Sequence, residues 1–426
     1  MGSLHIHNFA GLSDVVIEEN PHFNILIGPQ ASGKSVIAKL LYFFGGIISL
    51  SRISVPFGKS IDIHRIVLER FLLLFPKSNW PDDDFTISYV VSECRFMIQF
   101  RNGELSASLP EQFLSIVSLY EKDYKSARSK LDKPERGDDS SLTRFFAARS
   151  ARQSYILRAK KLGFPINDQF FVVAGRSFYS ELQDSIFEFS ARDFEFDKVL
   201  MESFSLFSAA KRVYSSNIIN PTKRTTDEVV RELMQKILHA EYKQEESKDI
   251  LTHPDGRKVE IKNSSSGQQE TFPLLMVLYY VYHLLSAPKL NSREGLCLFI
   301  EEPEAHIFPS SQKLIVELIS YIFNRARSLK KDLRIVITTH SPYIMTSFNN
   351  LIEGYNVIME DEAKAADVDN IIGKNTHIPF EDICAYFVGD GMAHSLMDEE
   401  DRLINPSELD EVSSIIGKEF DQLLSL

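Results

Sequence analysis

Along the first 110 residues, the alternation of apolar and polar positions predicts short strands and a single helix. Apolar and polar residues alternate on both sides of Gly11, which is the pattern of a hairpin. A continuous apolar run then indicates a buried strand, and apolar residues at helical spacing follow it. Asn102-Gly103 is a typical hairpin turn between two alternating segments. The predicted strands are residues 4–18 as a hairpin, 23–27, 85–91, 95–100 and 105–109, and the predicted helix is 36–50.

From residue 111 onward, the pattern predicts long helices separated by strands that are apolar throughout. Runs of five or six apolar residues are typical of central strands that are buried on both faces. Pro254-Asp255-Gly256 is a strong turn signal between two short segments. The predicted helices are 111–162 with a turn-rich interruption at 132–141, 180–240 and 272–285; the predicted hairpin is 249–261; the predicted strands are 169–174, 296–300 and 333–338.

The C-terminal part of the chain gives weaker patterns. Residues 357–362 resemble a strand that ends in acidic residues. Asn405 followed by Pro406 is typical of a helix start, with the Asn as cap and the Pro in the first turn. The helix would carry an apolar stripe, which either packs on its own domain or docks another subunit. The stripe consists of Leu409, Val412, Ile416, Phe420 and Leu423.

Charge is distributed unevenly over an otherwise ordinary composition. The chain has 426 residues, 44% of them hydrophobic and 25% charged, as in an average globular protein. Residues 360–426 carry a net charge of −13, from 17 acidic and 4 basic residues, whereas residues 122–161 carry +7, from 12 basic and 5 acidic residues. The basic segment is predicted to be a solvated helix face or a contact for the acidic tail; a surface that binds a nucleic-acid backbone is the alternative.

Cysteine usage and hydropathy bear on the cellular environment. Cys94, Cys297 and Cys384 are far apart and odd in number, and they fit neither a disulfide framework nor a metal-ligand spacing, which favours a reducing compartment. The first residues do not resemble a signal peptide. The most apolar run, residues 273–287, is too short to cross a bilayer and fits a buried helix. We therefore expect a cytoplasmic protein without a membrane segment.

Residues 28–35, with the sequence GPQASGKS, fit the phosphate-loop pattern G-x-x-x-x-G-K-[ST]. They lie between the predicted strand and the predicted helix, as this motif requires. Glycines let the backbone wrap around a phosphate chain, and backbone N–H groups at the helix N-terminus attract it. The Ser35 hydroxyl is expected to hold Mg²⁺. The predicted nucleotide-binding residues of this loop are Gly28, Gln30, Ala31, Ser32, Gly33, Lys34 and Ser35.

Three further motifs follow in chain order. Residues 263–270 (NSSSGQQE) place small hydroxyl residues and a glycine at the start of an apolar helix, a pattern that alone is typical of a helix cap. Glu301 and Glu302 end an apolar strand, where one carboxylate can orient the Mg²⁺ shell and the next can polarise an attacking water. His340 ends another strand and is placed to contact a γ-phosphate.

The order of these motifs resembles that of the ABC-type ATPases. The patterns EEPEAH at residues 301–306 and TTHSP at residues 338–342 are more closely similar to the RecF/SMC-like and OLD-like classes. The resemblance covers residues 1–110 and about 170–350. It implies an α/β fold, namely an ABC-type P-loop ATPase head with a mixed β-sheet, an inserted largely helical subdomain and a small acidic C-terminal region.

The resemblance also implies roles for individual residues. Glu301 takes the metal-orienting position, where Asp is more usual; Glu302 takes the position of the catalytic base and His340 that of the switch histidine. The Q-loop falls near Arg176. The signature would close over ATP held by the opposite subunit. Its residues are Ser265, Ser266, Gly267 and Gln268.

Four regions follow from the motif positions. The expected regions are 1–110, an ATPase lobe with the N-terminal hairpin and phosphate loop; 111–240, an inserted mainly helical subdomain with a returning core strand near 169–176; 241–350, an ATPase lobe with signature, carboxylates and switch histidine; and 351–426, an acidic region with a terminal amphipathic helix. No paired acidic strand follows residues 357–362, so we expect no nuclease domain in this chain.

The resemblance implies an ATPase that uses ATP and Mg²⁺ and assembles as a homo-oligomer, at least a dimer, with ATP between the subunits. The chain is similar to the stand-alone ATPase subunits of bacterial anti-phage systems of the PARIS, Septu and retron-associated type. That similarity implies a separate effector protein, for example a nuclease. The alternatives are a RecF-like DNA-binding ATPase in repair, with residues 122–161 as the DNA contact, and an ATP-binding scaffold with little turnover.

Overall fold

The computed structural model describes residues 2–50, 62–80, 83–131, 140–179, 197–219, 228–245, 248–287, 295–405 and 411–424. Within these ranges the chain forms a mixed α/β fold around one eleven-stranded sheet. The strands are β1 Gly2–Phe9, β2 Leu12–Glu18, β3 Phe23–Ile27, β4 Phe85–Val91, β5 Cys94–Arg101, β6 Glu104–Ser108, β7 Asn167–Val172, β8 Glu241–Glu245, β9 Lys248–Thr252, β10 Lys258–Glu260, β11 Gly295–Glu301, β12 Leu333–Thr339, β13 Ile383–Gly389, β14 Met392–Ser395, β15 Met397–Asp398 and β16 Leu403–Ile404. The helices are α1 Lys34–Ser49, α2 Ile63–Leu74, α3 Glu111–Leu131, α4 Ser140–Lys161, α5 Lys198–Ile219, α6 Glu228–Leu238, α7 Ser266–Ser286, α8 Pro309–Ser328, α9 Pro342–Glu360, α10 Ala365–Ile372 and α11 Glu411–Leu424.

The large sheet has an antiparallel half and a parallel half. Its strand order is β6-β5-β4-β1-β2-β14-β13-β3-β12-β11-β7. The strands from β13 to β7 all run parallel to one another. Parallel strands end at the same edge of a sheet, and ligands of open α/β sheets bind at that edge. The loops that follow β3, β7, β11 and β12 therefore meet at one place.

Burial explains why the central segments form strands. Every residue of β3 and of β11 is buried, as expected for parallel strands that are covered on both faces. Helix α1 buries Ile37, Leu40 and Leu41 and packs against β7, β11 and β12. The mixed α/β class, the N-terminal hairpin and the central strands predicted from the sequence are confirmed.

The C-terminal region contributes two strands to the main sheet, which the sequence analysis did not anticipate. Strand β13 pairs with β3 from Ile383 opposite Phe23 to Phe387 opposite Ile27. A two-residue turn then leads into β14; its residues Asp390 and Gly391 both have positive φ, at 50° and 74°. The strand that holds the phosphate loop thus lies between β12 and a strand from near the chain terminus.

Several predicted elements differ from the structure. The predicted strand at residues 357–362 is wrong, because the apolar residues of α9 keep helical spacing and the helix continues to Glu360. Strand β7 begins two residues earlier than predicted, and β8 joins the predicted hairpin as a third strand. The greater part of the predicted interruption, residues 132–139, and residues 180–196 and 220–227 of the predicted helical segment 180–240 lie outside the described residues.

Helix α11 confirms the helix predicted near the C-terminus. Its described side chains include Phe420 and Leu423, which are 60% and 67% exposed. Leu409 lies outside the described residues, and the side chains of Val412 and Ile416 are not described. Among the helices given above, none is both long enough and apolar enough to cross a membrane.

Truncation tests the place of β13 in the sheet. A chain that ends at residue 405 keeps β13 and β14, and we expect it to unfold cooperatively near the melting temperature of the full chain. A chain that ends at residue 382 leaves one side of β3 without a hydrogen-bonding partner, so we expect aggregation or loss of the cooperative transition. Circular dichroism melts of both chains distinguish these outcomes. A cooperative melt of the shorter chain would show that β13 is dispensable to the sheet.

Candidate active site

The parallel strands bring residues that are distant in sequence to one edge of the sheet. Thr339, the last residue of β12, pairs with Ile27, the last residue of β3, and Glu301 of β11 pairs with Thr338. The residues that follow these strands are Gly28, Glu302 and His340. The structure therefore brings the predicted phosphate loop, carboxylates and histidine together.

Close packing requires glycine at both ends of the phosphate loop. A Cβ on Gly28 would lie 2.0 Å from the carbonyl oxygen of Val388 in β13. A Cβ on Gly33 would lie 2.5 Å from a methyl group of Leu12, and Gly33 also has a φ of +99°. The loop is thus held between the N-terminal hairpin and the C-terminal strand. Ala31, at the tip, is also in the left-handed region with a φ of 59°.

Lys34 points back into the phosphate loop. Its ammonium group donates hydrogen bonds to the carbonyl oxygens of Gly28 (2.9 Å) and Pro29 (2.6 Å) and lies 3.4 Å from the Ser32 hydroxyl. Burial lowers the pKa of Lys34 to about 8, although the charges of Glu302 and Glu304 act in the opposite direction. Anionic phosphate oxygens would favour the charged form and so raise this pKa.

His340 connects the phosphate loop to the carboxylates. Its Nδ1 lies 2.9 Å from the carbonyl oxygen of Gly28 and its Nε2 lies 3.0 Å from Glu302 Oε1. A carbonyl oxygen only accepts, so the bond to Gly28 places a proton on Nδ1. The Lys34 ammonium also lies 3.3 Å from Nδ1, and it can donate there only when that proton is absent. The backbone N–H of His340 donates to Glu304 at 2.6 Å.

Glu302 is held in an unfavourable backbone conformation. Its φ is 42°, in the left-handed region that costs a residue other than glycine on the order of 1 kcal/mol. Its N–H donates to the carbonyl oxygen of Thr338 at 2.8 Å, and its own carbonyl oxygen accepts from Arg176 at 2.9 Å. The third contact is that of His340 with its carboxylate. Glu302 is thus held through its N–H, its carbonyl oxygen and its side chain, and it lines the cavity at the phosphate loop.

The surroundings of Glu301 fit a magnesium ion. Its Oε2 accepts from the N–H of Ala174 at 3.3 Å, and the Ser35 hydroxyl is close enough to the carboxylate to act on its pKa. Its Oε1 is buried and has no hydrogen-bond partner among the described residues. Burial raises the pKa of Glu301, and the Ser35 hydroxyl opposes that rise. A buried carboxylate oxygen next to a hydroxyl matches the oxygen ligands that Mg²⁺ prefers. The predicted metal residues Ser35 and Glu301 therefore lie together.

A cavity of about 350 Å³ lies beside these groups. Its lining residues are Ala10, Gln30, Ala31, Ser32, Gly33, Lys34, Ser35, Val36, Glu302 and His340. All the predicted phosphate-loop residues except Gly28 thus share one cavity with the predicted base and the predicted switch histidine. Among the described residues, no cluster of three or more His, Cys, Asp or Glu side chains is arranged as a metal site. Magnesium in phosphate-loop sites usually completes its shell with phosphate oxygens and water.

The signature residues lie elsewhere on the chain. Ser265 caps α7, and Ser265 and Gln268 form a reciprocal capping box at 3.3 Å. The other amide atom of Gln268 donates to the carbonyl oxygen of Leu238 at 2.8 Å. Both polar atoms of the Gln268 side chain are therefore engaged within the chain, whereas Ser265 and Ser266 are exposed.

The signature borders a second cleft, of about 380 Å³. Ser265 and Gln268 line it together with His239, His253 and Arg257, and it shares no lining residue with the phosphate-loop cavity. A Cβ on Gly267 would lie 2.7 Å from the carbonyl oxygen of His306, so glycine is needed where α7 meets the loop after the carboxylates.

Three residues of the site were missed from the sequence. Glu304 is largely buried, and its burial raises its pKa, against the hydrogen bond from the backbone of His340. Arg176 and Glu270 are fully buried and form an ion pair next to the carboxylates. The sequence marked Gly175-Arg176 as the end of a strand, but it gave no sign that the guanidinium group points inward.

Comparison with protein families gives one match, which covers part of this site. Residues 166–345 match the family described as the AAA ATPase domain, a span that begins before β7 and ends after His340. It includes the signature and both carboxylates, whereas the phosphate loop lies outside it. No relative was found among curated proteins.

Three solved structures are similar to most of the chain. An SMC head bound to the C-terminal winged-helix domain of ScpA is 15% identical, with a TM-score of 0.39, over 94% of this chain and 98% of that chain. The SMC head domain from Thermotoga maritima is 10% identical, with a TM-score of 0.36, over 92% and 97%. The recombination mediator RecF with ATP is 12% identical, with a TM-score of 0.31, over 92% and 98%. At TM-scores below 0.5, these likenesses do not extend to function.

The lowered pKa of Lys34 gives a test of nucleotide binding. Without nucleotide, the Lys34 amine is mostly neutral above about pH 8, and bound phosphates would restore its charge. ATP binding should therefore be accompanied by proton uptake at about pH 8.5. At about pH 7 the amine is already charged, so we expect very little uptake. Calorimetric titration in two buffers of different ionisation enthalpy measures this uptake.

A His340→Gln variant is the control, since it removes the other titratable nitrogen near the loop. We expect it to keep the proton uptake at the higher pH. Equal uptake at both values of pH, or an uptake that disappears with His340, would show that Lys34 is not the group that titrates.

Proposed function

We propose that this protein is a magnesium-dependent ATPase of the ABC type whose subunits assemble head to tail, with ATP held between them. One observation carries the proposal: Ser265 of the signature and the phosphate loop line separate clefts of the same chain. A signature that completes an ATP site must then come from a second copy. The match of residues 166–345 to an ATPase family supports the hydrolytic part of the proposal.

The roles of the site residues follow from their contacts. Lys34 and the loop N–H groups bind the phosphates, and Ser35 with Glu301 would hold Mg²⁺, which neutralises phosphate charge when bound. Glu302 faces the cavity and accepts a proton from the attacking water. His340 holds the Glu302 carboxylate and lies beside Lys34, from where it senses the terminal phosphate.

In this proposal, the output of the ATP switch is a change in assembly. ATP contacted from two subunits favours closure, and hydrolysis removes those contacts. We propose that assembly controls a separate effector protein in bacterial anti-phage defence, in line with the resemblance of the motifs. The exposed apolar residues Phe420, Leu423 and Leu424 of α11 offer such a partner a surface.

A DNA-binding ATPase in repair is the second candidate, and the exposed basic residues of α4 favour it. Arg149, Lys160 and Lys161 are exposed and open to a phosphate backbone. Other residues of the segment serve the fold instead. Arg158 pairs with Asp123 at 2.7 Å, and the fully buried Tyr155 donates to a backbone carbonyl of α1.

Mass measurement with ATP and Mg²⁺ tests the leading proposal. Glu302→Gln keeps the shape of the base but cannot accept a proton, so we expect turnover to fall by about 100-fold or more and ATP to remain trapped in a dimer or larger assembly. Lys34→Ala should bind no ATP and remain monomeric. Ser266→Asp should bind ATP as a monomer, because it adds bulk and negative charge at an exposed position of the signature that the partner's ATP would approach.

Light scattering gives the mass, and bound nucleotide is counted in the same fractions. The assembly part of the proposal fails if Glu302→Gln retains ATP as a monomer, or if Ser266→Asp assembles as well as Glu302→Gln. Tight ATP retention by the wild-type protein without turnover would indicate a scaffold. ATP-dependent, salt-sensitive binding of duplex DNA that is lost with Arg149, Lys160 and Lys161 would favour the repair function.

A further inference from the structure

A fully buried ion pair connects the signature helix to the two carboxylates. The side chains of Arg176 and Glu270 are both 0% exposed, and Arg176 Nε lies 3.4 Å from Glu270 Oε1. Arg176 follows β7 and Glu270 lies in the second turn of α7, next to the signature. Buried ion pairs contribute little net stability when compared with apolar packing. A role in positioning other groups is therefore the better explanation for this pair.

The guanidinium group of Arg176 binds the backbone of three elements. Its Nη1 donates to the carbonyl oxygens of Glu301 (2.6 Å) and Val173 (3.1 Å), and its Nη2 donates to that of Glu302 (2.9 Å). Its Nε donates to the backbone carbonyl of Glu270 at 3.1 Å. The planar fork thus fixes the ends of β7 and β11 relative to the start of α7.

Glu270 completes the connection from the helix side. Its two carboxylate oxygens accept from the backbone N–H groups of Arg176 and Ser177, both at 2.8 Å. The same helix meets the loop after the carboxylates at Gly267, which packs on the carbonyl of His306. A displacement of the α7 N-terminus would therefore also move Glu301, at the end of β11, and Glu302, in the loop that follows.

Glu302 is the residue on which such a displacement acts most strongly. Its left-handed backbone persists only while its surroundings hold it, and the bond from Arg176 Nη2 is one of three that do so. The direction of its carboxylate follows from the orientation of that backbone. A small shift of Arg176 would therefore move the proposed base relative to the phosphate loop.

We propose that Arg176 is a positioning residue that couples the two ATP sites of the assembled dimer, an inference that rests on the proposed function. When the signature of one subunit engages ATP on its partner, α7 shifts. Glu270 and Arg176 transmit the shift to the subunit's own Glu301 and Glu302. Each subunit then hydrolyses its ATP fastest when its signature is also engaged. Turnover of the wild-type protein is accordingly cooperative in ATP.

Arg176→Lys tests this coupling. Lysine keeps the positive charge but cannot donate to both strand-end carbonyls in a fixed plane. We expect ATP binding and ATP-dependent assembly to change by less than about threefold, while kcat falls by about 30-fold or more. The Hill coefficient for ATP in steady-state turnover should fall from above about 1.5 in the wild-type protein to about 1 in the variant.

Glu270→Asp tests the same connection from the helix side. It keeps the charge but is one methylene too short to hold both N–H groups, so we expect it to reduce the Hill coefficient in the same way. Arg334→Lys is the matched control, because Arg334 is a second arginine in a largely buried ion pair, with Glu19 at 2.9 Å, and it lies near the start of β12, away from the site. We expect it to lower the melting temperature without changing cooperativity.

The outcomes separate the coupling from the proposed function itself. If wild-type protein neither assembles with ATP nor hydrolyses it, the proposed function fails. If wild-type protein does both, but Arg176→Lys keeps its kcat and Hill coefficient, the coupling is wrong. The coupling also fails if Arg334→Lys loses kcat and cooperativity to the same extent, since the effect would then reflect general destabilisation. Melting temperatures of all three variants show that folded proteins are being compared.

Discussion

The hydrogen bonds that join β3 to β12 on one side and to β13 on the other hold the site together. They align the ends of strands that lie hundreds of residues apart in sequence, so that Gly28, Glu302 and His340 meet. The site depends on this alignment, since each of its parts contacts a distant segment. Gly28 packs on Val388, and Glu302 is held by His340. The chemistry of the site is therefore a property of the sheet more than of any one motif.

The same alignment explains how so many charged groups remain buried. Burial disfavours the charged form of four groups in the site. Three of these residues are at most 7% exposed, namely Lys34, Glu301 and Arg176. The fourth, Glu304, is largely buried. Backbone carbonyl and N–H groups at the strand ends compensate in part, because they are fixed dipoles that need no reorganisation. Two carboxylate oxygens, Glu301 Oε1 and Glu304 Oε2, still lack a partner in the part of the chain that the structure describes. A site with such groups is built to receive ligands of the opposite charge.

Sequence patterns predicted the motifs well because each motif depends on local chemistry. The phosphate loop, the strand before Glu301 and the cap at Ser265 all follow from spacing and residue type over a few positions. What could not be predicted depends on contacts between distant segments. The acidic composition of residues 360–426 concealed the strand at Ile383–Gly389, although Asp390-Gly391 is a recognisable hairpin turn. Arg176 resembled a polar loop residue, and only the fold shows that it is fully buried. The roles of the site residues stay predictions until they are measured.

The contact between Gly28 and Val388 has a consequence for how the protein is made. The phosphate loop is synthesised long before Val388, whose strand packs on it. During translation the loop cannot form this contact until the strand that contains Val388 has been made and has left the ribosome. Pairing across such a separation is slow to form compared with local contacts. A chain that is truncated or stalled before Val388 therefore lacks the strand that packs on Gly28 and closes one side of the phosphate loop.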